Sequence, residues 1–292
     1  MRLSIYLLAV ALFVSPAAAR DIFVNNLSGN DTLTGRTETS VGRESGPVLT
    51  IAKAARLATP GDRIVLADTG EPYREQVSLQ GGSRSGVSAN RPLIFDGGGA
   101  VIDGSVPVPD QGWENVGGDI FRFAPEIKSH QVLLSEVALV RVPLQRGAPL
   151  PKLAPLQWCL SDGMIYLRVR PGEVPQQYHA SCAGMWTGMT IYDVRDVIVR
   201  NVVVQGFAFD GVNAHDNAFN VQLEGVTALS NGRSGFSIGG ASRVRLVGCE
   251  AAGNHRAQLR SEGYCRVRHS DCTFDATAAP AIEKAGGEIE AE

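Results

Sequence analysis

Only 7% of this 292-residue chain is aromatic, lysine is scarce beside arginine, and no apolar run of membrane-spanning length follows residue 14. Charge of one sign is also missing: 27 Lys plus Arg stand against 30 Asp plus Glu, a net charge of -3. That balance excludes the basic face of a nucleic-acid binder. Local arginine clusters still leave room for an anionic ligand. Long helical periodicities are absent, and no Ser/His/Asp nucleophile motif, zinc spacing or phosphate loop stands out. Cysteine is sparse and odd in number, at five. Cys159 and Cys182 share one irregular region and could pair; Cys249 and Cys272 are expected as buried thiols, and Cys265 has no partner.

What the chain does have begins with Arg2, an apolar run over residues 3–14 and the small residues Pro16-Ala17-Ala18-Ala19. This predicts a signal peptide over residues 1–19 and a secreted or periplasmic protein, with an uncleaved anchor helix as the alternative. After cleavage no membrane association is expected.

The second half repeats. Segments 197–214, 221–238, 244–261 and 267–284 align without gaps, their starts 24, 23 and 23 residues apart. One column reads Val197, Val221, Val244, Val267, another Val202, Val226, Cys249, Cys272, and a third Val212, Phe236, Leu259, Ile282. Columns two residues apart within short runs, separated by larger jumps, mark strands joined by corners. The fold expected is all-β, a right-handed parallel β-helix in which each coil stacks on the last. Asn231 and Asn254 fall in one corner column and predict an asparagine ladder.

Nearer the N-terminus, a strand and a Gly29-Asn30-Asp31 turn precede Gly46-Pro47 and a helix opening at Thr50-Ile51, which Pro60-Gly61-Asp62 stops. Tyr73-Arg74-Glu75 follows a second strand. This order resembles the N-terminal cap of the pectin-lyase-like β-helix superfamily, over residues 21–105 and 188–288. Residues 106–187 break the coil pattern and resemble the small antiparallel β subdomain inserted into some β-helix glycoside hydrolases. The expected organisation is 20–105, capping helix and first coils; 106–187, inserted subdomain; 188–288, further coils; and 289–292, a tail. Lys284 breaks the inward pattern and nothing after it reads as a cap, so a partner could cover the last coil.

The resemblance implies a substrate groove along one sheet, where outward residues of successive coils act together. The strands carrying Val212, Phe236, Leu259 and Ile282 place Asn213, Ser237, Arg260 and Glu283 outward, then His215 and Glu262, with Asp210 and Asp216 beside them. Asp210, His215, Asp216, Arg260 and Glu262 are the candidate catalytic residues; Asn213, Ser237 and Glu283 are the candidate substrate contacts. Two carboxylates suit glycoside hydrolysis. His215 with Arg260 suits β-elimination beside a uronate. Asp216 with Glu262 could hold Ca²⁺. Outward polar residues also serve solubility alone. Asn254-His255-Arg256 reads as a solvated corner. The functional expectation is a carbohydrate-active protein that cleaves a polysaccharide or oligosaccharide by hydrolysis or elimination. The alternative is a non-catalytic binding or adhesive module. The aligned outward columns hold no aromatic residue on which a sugar could stack, which favours the enzyme.

Overall fold

A computed structural model describes residues 19–145 and 147–292. Residues 1–18, nearly all of the expected signal peptide, lie outside it. Three parallel sheets wind around one core. The longest runs Asp21–Val24, Arg63–Leu66, Leu93–Asp96, Arg195–Arg200, Phe219–Glu224, Arg243–Val247, Arg266–Ser270, Glu288–Ala291. A five-stranded sheet stacks Val101–Asp103 under Val203–Gln205, Thr227–Leu229, Glu250–Ala252 and Thr273–Phe274. The third has six strands and is called the front sheet below: Val77–Gln80, Met189–Tyr192, Val212–His215, Ser234–Ile238, Ala257–Ser261, Ile282–Lys284.

The repeat is realised residue for residue. Val212 pairs with Phe236, Phe236 with Leu259 and Leu259 with Ile282. The first three are fully buried; Ile282, on the last rung of its sheet, is 41% exposed. Burying one such side chain contributes about 1.5–3 kcal/mol, so the stacked columns supply most of the driving force. At the corner, Asn231 and Asn254 are both fully buried. Asn254 Oδ1 accepts from the backbone N–H and from Nδ2 of Asn231, each at 2.9 Å, while Asn231 Oδ1 accepts from the Phe207 N–H at 3.1 Å. The ladder thus satisfies backbone groups that the corner leaves without strand partners.

The helix Ile51–Leu57 caps the open end of the first coil, and the motif residues are what hold it there. Thr50 accepts from Lys53 N at its N-terminus. Asp31 accepts from the Leu49 and Thr50 N–H groups, and Glu75 from those of Ile51 and Ala52. Buried Tyr73 donates its hydroxyl to the carbonyls of Val24 and Ala67. Among the described residues no helix is long and apolar enough to cross a membrane.

The insert leaves the coil between Val101–Asp103 and Met189–Tyr192, at the corner joining the second sheet to the front sheet. At its base Ser105–Pro107 pairs antiparallel with Ser181–Ala183, and beyond lies a second sheet around Trp158, Ile165 and Leu167. Because it emerges at that corner, it packs along the same corner of the following coils. Ile127, Val132 and Ala183 meet Ala208 of the coil in a small apolar seam. A Cβ on Gly232 would overlap the His130 carbonyl oxygen, so only glycine admits the insert's backbone so close.

Three expectations are corrected. Residues 289–292 are not a tail: Glu288–Ala291 pairs with Arg266–Ser270 and begins another coil. Ile289 extends the valine column, while Glu288 and Glu290 pair with Arg266 and Arg268 on the strand below. Cys159 and Cys182 do not pair; both are free and buried, in different sheets, and burial pushes each thiol to about 11. His255 is not in a solvated corner. The insert covers it, its Nδ1 lies 3.0 Å from the Gln131 carbonyl, and its ring packs on Trp158 at 5.6 Å.

Candidate functional site on the front sheet

The front sheet presents two outward columns. One reads Ser78, Thr190, Asn213, Ser237, Arg260, Glu283. The next reads Gln80, Tyr192 and His215 and continues through the backbone ladder to Gly239, Glu262 and Ala285. Strand alternation sends both to the outer face.

The proposed residues divide into those that remain open and those already engaged. Asp210 is fully buried, against expectation. Its carboxylate accepts from both Nε and Nη2 of Arg233, from the Ser234 N–H at 3.2 Å and from Asn213 Nδ2 at 2.8 Å. With its lone pairs so occupied it is a structural anion, and Asn213 is held with it. Ser237 is 2% exposed. Its short side chain sits between Asn213 and Arg260 in the column, too low to meet a ligand as expected. Arg260 is also buried, at 8%. Its Nη1 lies 2.7 Å from Glu262 Oε2 and its Nε 3.7 Å from Glu283 Oε2. Neither nitrogen makes an aligned hydrogen bond, so these are charge contacts. Glu283 is held by Arg256 through two hydrogen bonds of 2.8 and 2.9 Å, and that guanidinium keeps its carboxyl below the usual range.

His215, Asp216 and Glu262 stay exposed, with side chains 38%, 51% and 46% accessible, Glu262 while one of its oxygens contacts Arg260. His215 Nδ1 is 3.5 Å from Asp216 Oδ2. The Tyr192 ring meets His215 edge-on at 4.9 Å, and the neighbouring Asp216 carboxylate pushes its phenol upward. Asp216 occupies a left-handed corner (φ 59°) that the next coils fill with Gly240 and Gly263 (φ 62° and 68°). The coil between His215 and Glu262 thus carries two adjacent residues without side chains, Gly239 and Gly240. A Cβ on Gly239 would lie 3.3 Å from Glu262 Oε1, so Glu262 leans back over that gap towards His215. The outcome is a notch floored by glycine, with a histidine–carboxylate pair on one side and a carboxylate on the other. Among the described residues no group of three His, Cys, Asp or Glu side chains could hold a metal. Asp216 and Glu262 therefore gain no third protein carboxylate, whereas Ca²⁺ takes six to eight oxygens.

One element of the site was missed. Trp186, Phe209, Arg233 and Arg256 form a ladder beside the outward columns, each three residues before an inward residue, linked by backbone hydrogen bonds from coil to coil. Trp186 and Phe209 pack at 5.0 Å, and the Arg233 guanidinium covers Phe209 at 5.1 Å. His130 of the insert closes the far side, 4.9 Å from Phe209. The signal was present in the aligned column Phe209, Arg233, Arg256, and one coil upstream in Trp186 and Tyr192. The insert hid that upstream coil from the alignment. Aromatic platforms beside the groove remove the argument that stacking residues are missing.

Residues 180–291 match the family model for the right handed beta helix region. No curated protein matches the chain. Among solved structures, a glycoside hydrolase aligns with TM-score 0.53 and 11% identity over 88% of this chain and 73% of its own. A structure of XylC with xylose aligns at 14% identity and TM-score 0.42, over 93% and 70%. A rhamnogalacturonan lyase aligns at 11% and 0.45, over 93% and 62%, so the chain spans less than two thirds of that protein. Identities this low speak to the fold alone.

Proposed function

We propose, from the premise that this chain is a right-handed parallel β-helix of the pectin-lyase-like kind, that it is an exported protein that cleaves a neutral polysaccharide by glycoside hydrolysis on its front sheet. The observation that carries this reading is the notch over Gly239 and Gly240, flanked by His215–Asp216 and Glu262. Positions two coils apart are separated by about 10 Å, and the backward lean of Glu262 shortens the gap between the two carboxylates. That suits the roughly 6.5–9.5 Å an inverting hydrolase needs to admit a water beside the sugar. Glu262 takes a proton from that water as the water oxygen bonds to the anomeric carbon. The His215–Asp216 pair gives one to the leaving oxygen as the glycosidic C–O bond breaks. Trp186, 45% exposed, offers a face on which a neighbouring sugar stacks.

Hydrolysis is favoured over β-elimination by the state of the arginines. Elimination beside a uronate needs a cation free to neutralise its carboxylate. On this face Arg233 is paired with Asp210, Arg256 with Glu283 and Arg260 with Glu262. A second reading, a binding module without turnover, draws on the Trp186–Phe209 platform, which grips sugar whether or not a bond breaks.

A panel of polysaccharides read by reducing ends and by ultraviolet absorbance of unsaturated products tests the proposal. New reducing ends without absorbance are expected. Both signals together would mean elimination. Silence on both, with binding retained, would mean the module.

A further inference from the structure

Two residues beyond Glu262, on the turn that leads from the front sheet to the longest sheet, stands Tyr264. It is 86% exposed, and among the described residues neither its ring nor its hydroxyl has a partner. The neighbouring coils explain why the ring stands clear. The equivalent turn positions are Ala241 on the coil below and Gly287 on the coil above, and Gly286 stacks on Gly263. None of these carries a side chain long enough to cover a phenol ring. The backbone, by contrast, is held on both sides. The Tyr264 N–H donates to the Gly240 carbonyl at 2.8 Å, and the Tyr264 carbonyl accepts from Arg243 Nη1 at 3.2 Å.

A lone exposed aromatic side chain is ordinary on a protein surface. Tyr264 is set apart by where it stands. Its backbone is bonded to Gly240, part of the floor of the notch, and its Cα lies at most about 7 Å from that of Glu262. Gly263 lies between the two in the chain, so no side chain stands between the carboxylate and the ring. Trp186 stands where the front strands begin; Tyr264 stands where they end, on the side of the notch.

The chemistry of the ring says what fits it. An aromatic face takes apolar groups, and a buried one contributes more than its area alone when it meets a matching surface. A pyranose with equatorial hydroxyls has such a surface in its axial C–H groups. Laid flat on the ring, it keeps every hydroxyl at the edge, in water.

We infer that Tyr264 is the platform for the sugar unit next to the bond that is cleaved, and that it takes the C–H face of an equatorially substituted pyranose as the sugar chain leaves the notch over Gly263. The inference rests on the reading of the notch as a sugar site. The ring acts by binding and moves no proton.

The test is calorimetric titration of the Glu262→Gln protein with cellohexaose and xylohexaose, alone and combined with Tyr264→Ala or Tyr264→Phe. At least one hexasaccharide binds, Tyr264→Ala weakens it about tenfold, and Tyr264→Phe rescues it. The side chain touches nothing, so both variants keep the parent's melting temperature. With Glu262 in place, Tyr264→Ala raises KM for that hexasaccharide more than it lowers kcat. Unchanged binding in Tyr264→Ala, or no binding of either hexasaccharide by the parent, overturns the platform. A loss in Tyr264→Phe as large as in Tyr264→Ala assigns the contact to the hydroxyl and overturns stacking. Binding that depends on Tyr264 without release of reducing ends by the wild type sinks the hydrolytic reading alone. Hydrolysis with binding indifferent to Tyr264 sinks the platform alone.

Discussion

His255 makes the fold sensitive to acid through one partly buried ring. Enclosed between Trp158 and the coil, it is pushed down to about 3 from an ordinary 6.5, chiefly by burial and secondarily by the Arg141 charge. A group whose folded pKa lies below its unfolded value withholds a proton that the unfolded chain accepts. Stability from this source is complete above pH 6.5 and is lost as pH falls, until the folded ring itself protonates. At pH 5 the loss depends only on the unfolded value, because the folded ring is still neutral there. Relative to pH 7 it is about 2 kcal/mol, approaching about 1.4 kcal/mol for each further pH unit. Urea unfolding of the wild type and His255→Gln at pH 7, 6 and 5 measures it. The variant loses packing at every pH, but its curve should be flatter by about 2 kcal/mol over that interval. Backbone amides of residues 127–134, which hold the insert on the coil, should lose exchange protection first in acid, since protonation puts a charge beside Arg141 beneath the insert. Equal pH slopes for wild type and variant would refute the reasoning, because the ring would then be titrating freely in the folded protein.

Asp216→Asn should abolish hydrolysis and leave the melting temperature nearly unchanged, since the corner it occupies accepts Asn as readily; activity assayed beside a thermal melt checks both. Asp210→Ala should instead cost about 3–5 kcal/mol by stranding Arg233, visible as a lowered urea midpoint whether or not any substrate is present. Asn254→Ala removes the acceptor for two donors of Asn231, and with about 1–3 kcal/mol for each group left unsatisfied it should destabilise the coils without touching the notch; a variant as stable as wild type would show that water replaces the ladder. Gly232→Val should displace the insert, detected as faster proteolysis within residues 106–187 while the coil's circular dichroism persists.

The repeat was legible because its physics is nearest-neighbour. Val212, Phe236, Leu259 and Ile282 were readable as one row since each meets only the residue one coil away, and the separation of 23 or 24 residues never varies. The same held for Asn231 and Asn254, and for Thr50 at the start of the helix. The C-terminal strand was misread because Ile289 carries its register alone, with charges on both sides whose partners, Arg266 and Arg268, lie a coil below.

Periodicity also placed Asp210, Asn213, Ser237, His215, Arg260 and Glu262 near one face, but it carries no information on which of them are already spent. Whether Asp210 is a catalyst or the anion of Arg233 depends on how one side chain turns at a corner, and register leaves that open. The insert has no repeat at all. His255 looked solvated because its cover comes from Gln131 and Trp158, the former 124 residues away in sequence. The sequence by itself thus determined the coil, its cap and its interior rows, where each contact recurs at a constant interval. Only the tertiary structure decided which polar groups remain free to act, because that rests on single contacts between distant segments that no repeat encodes.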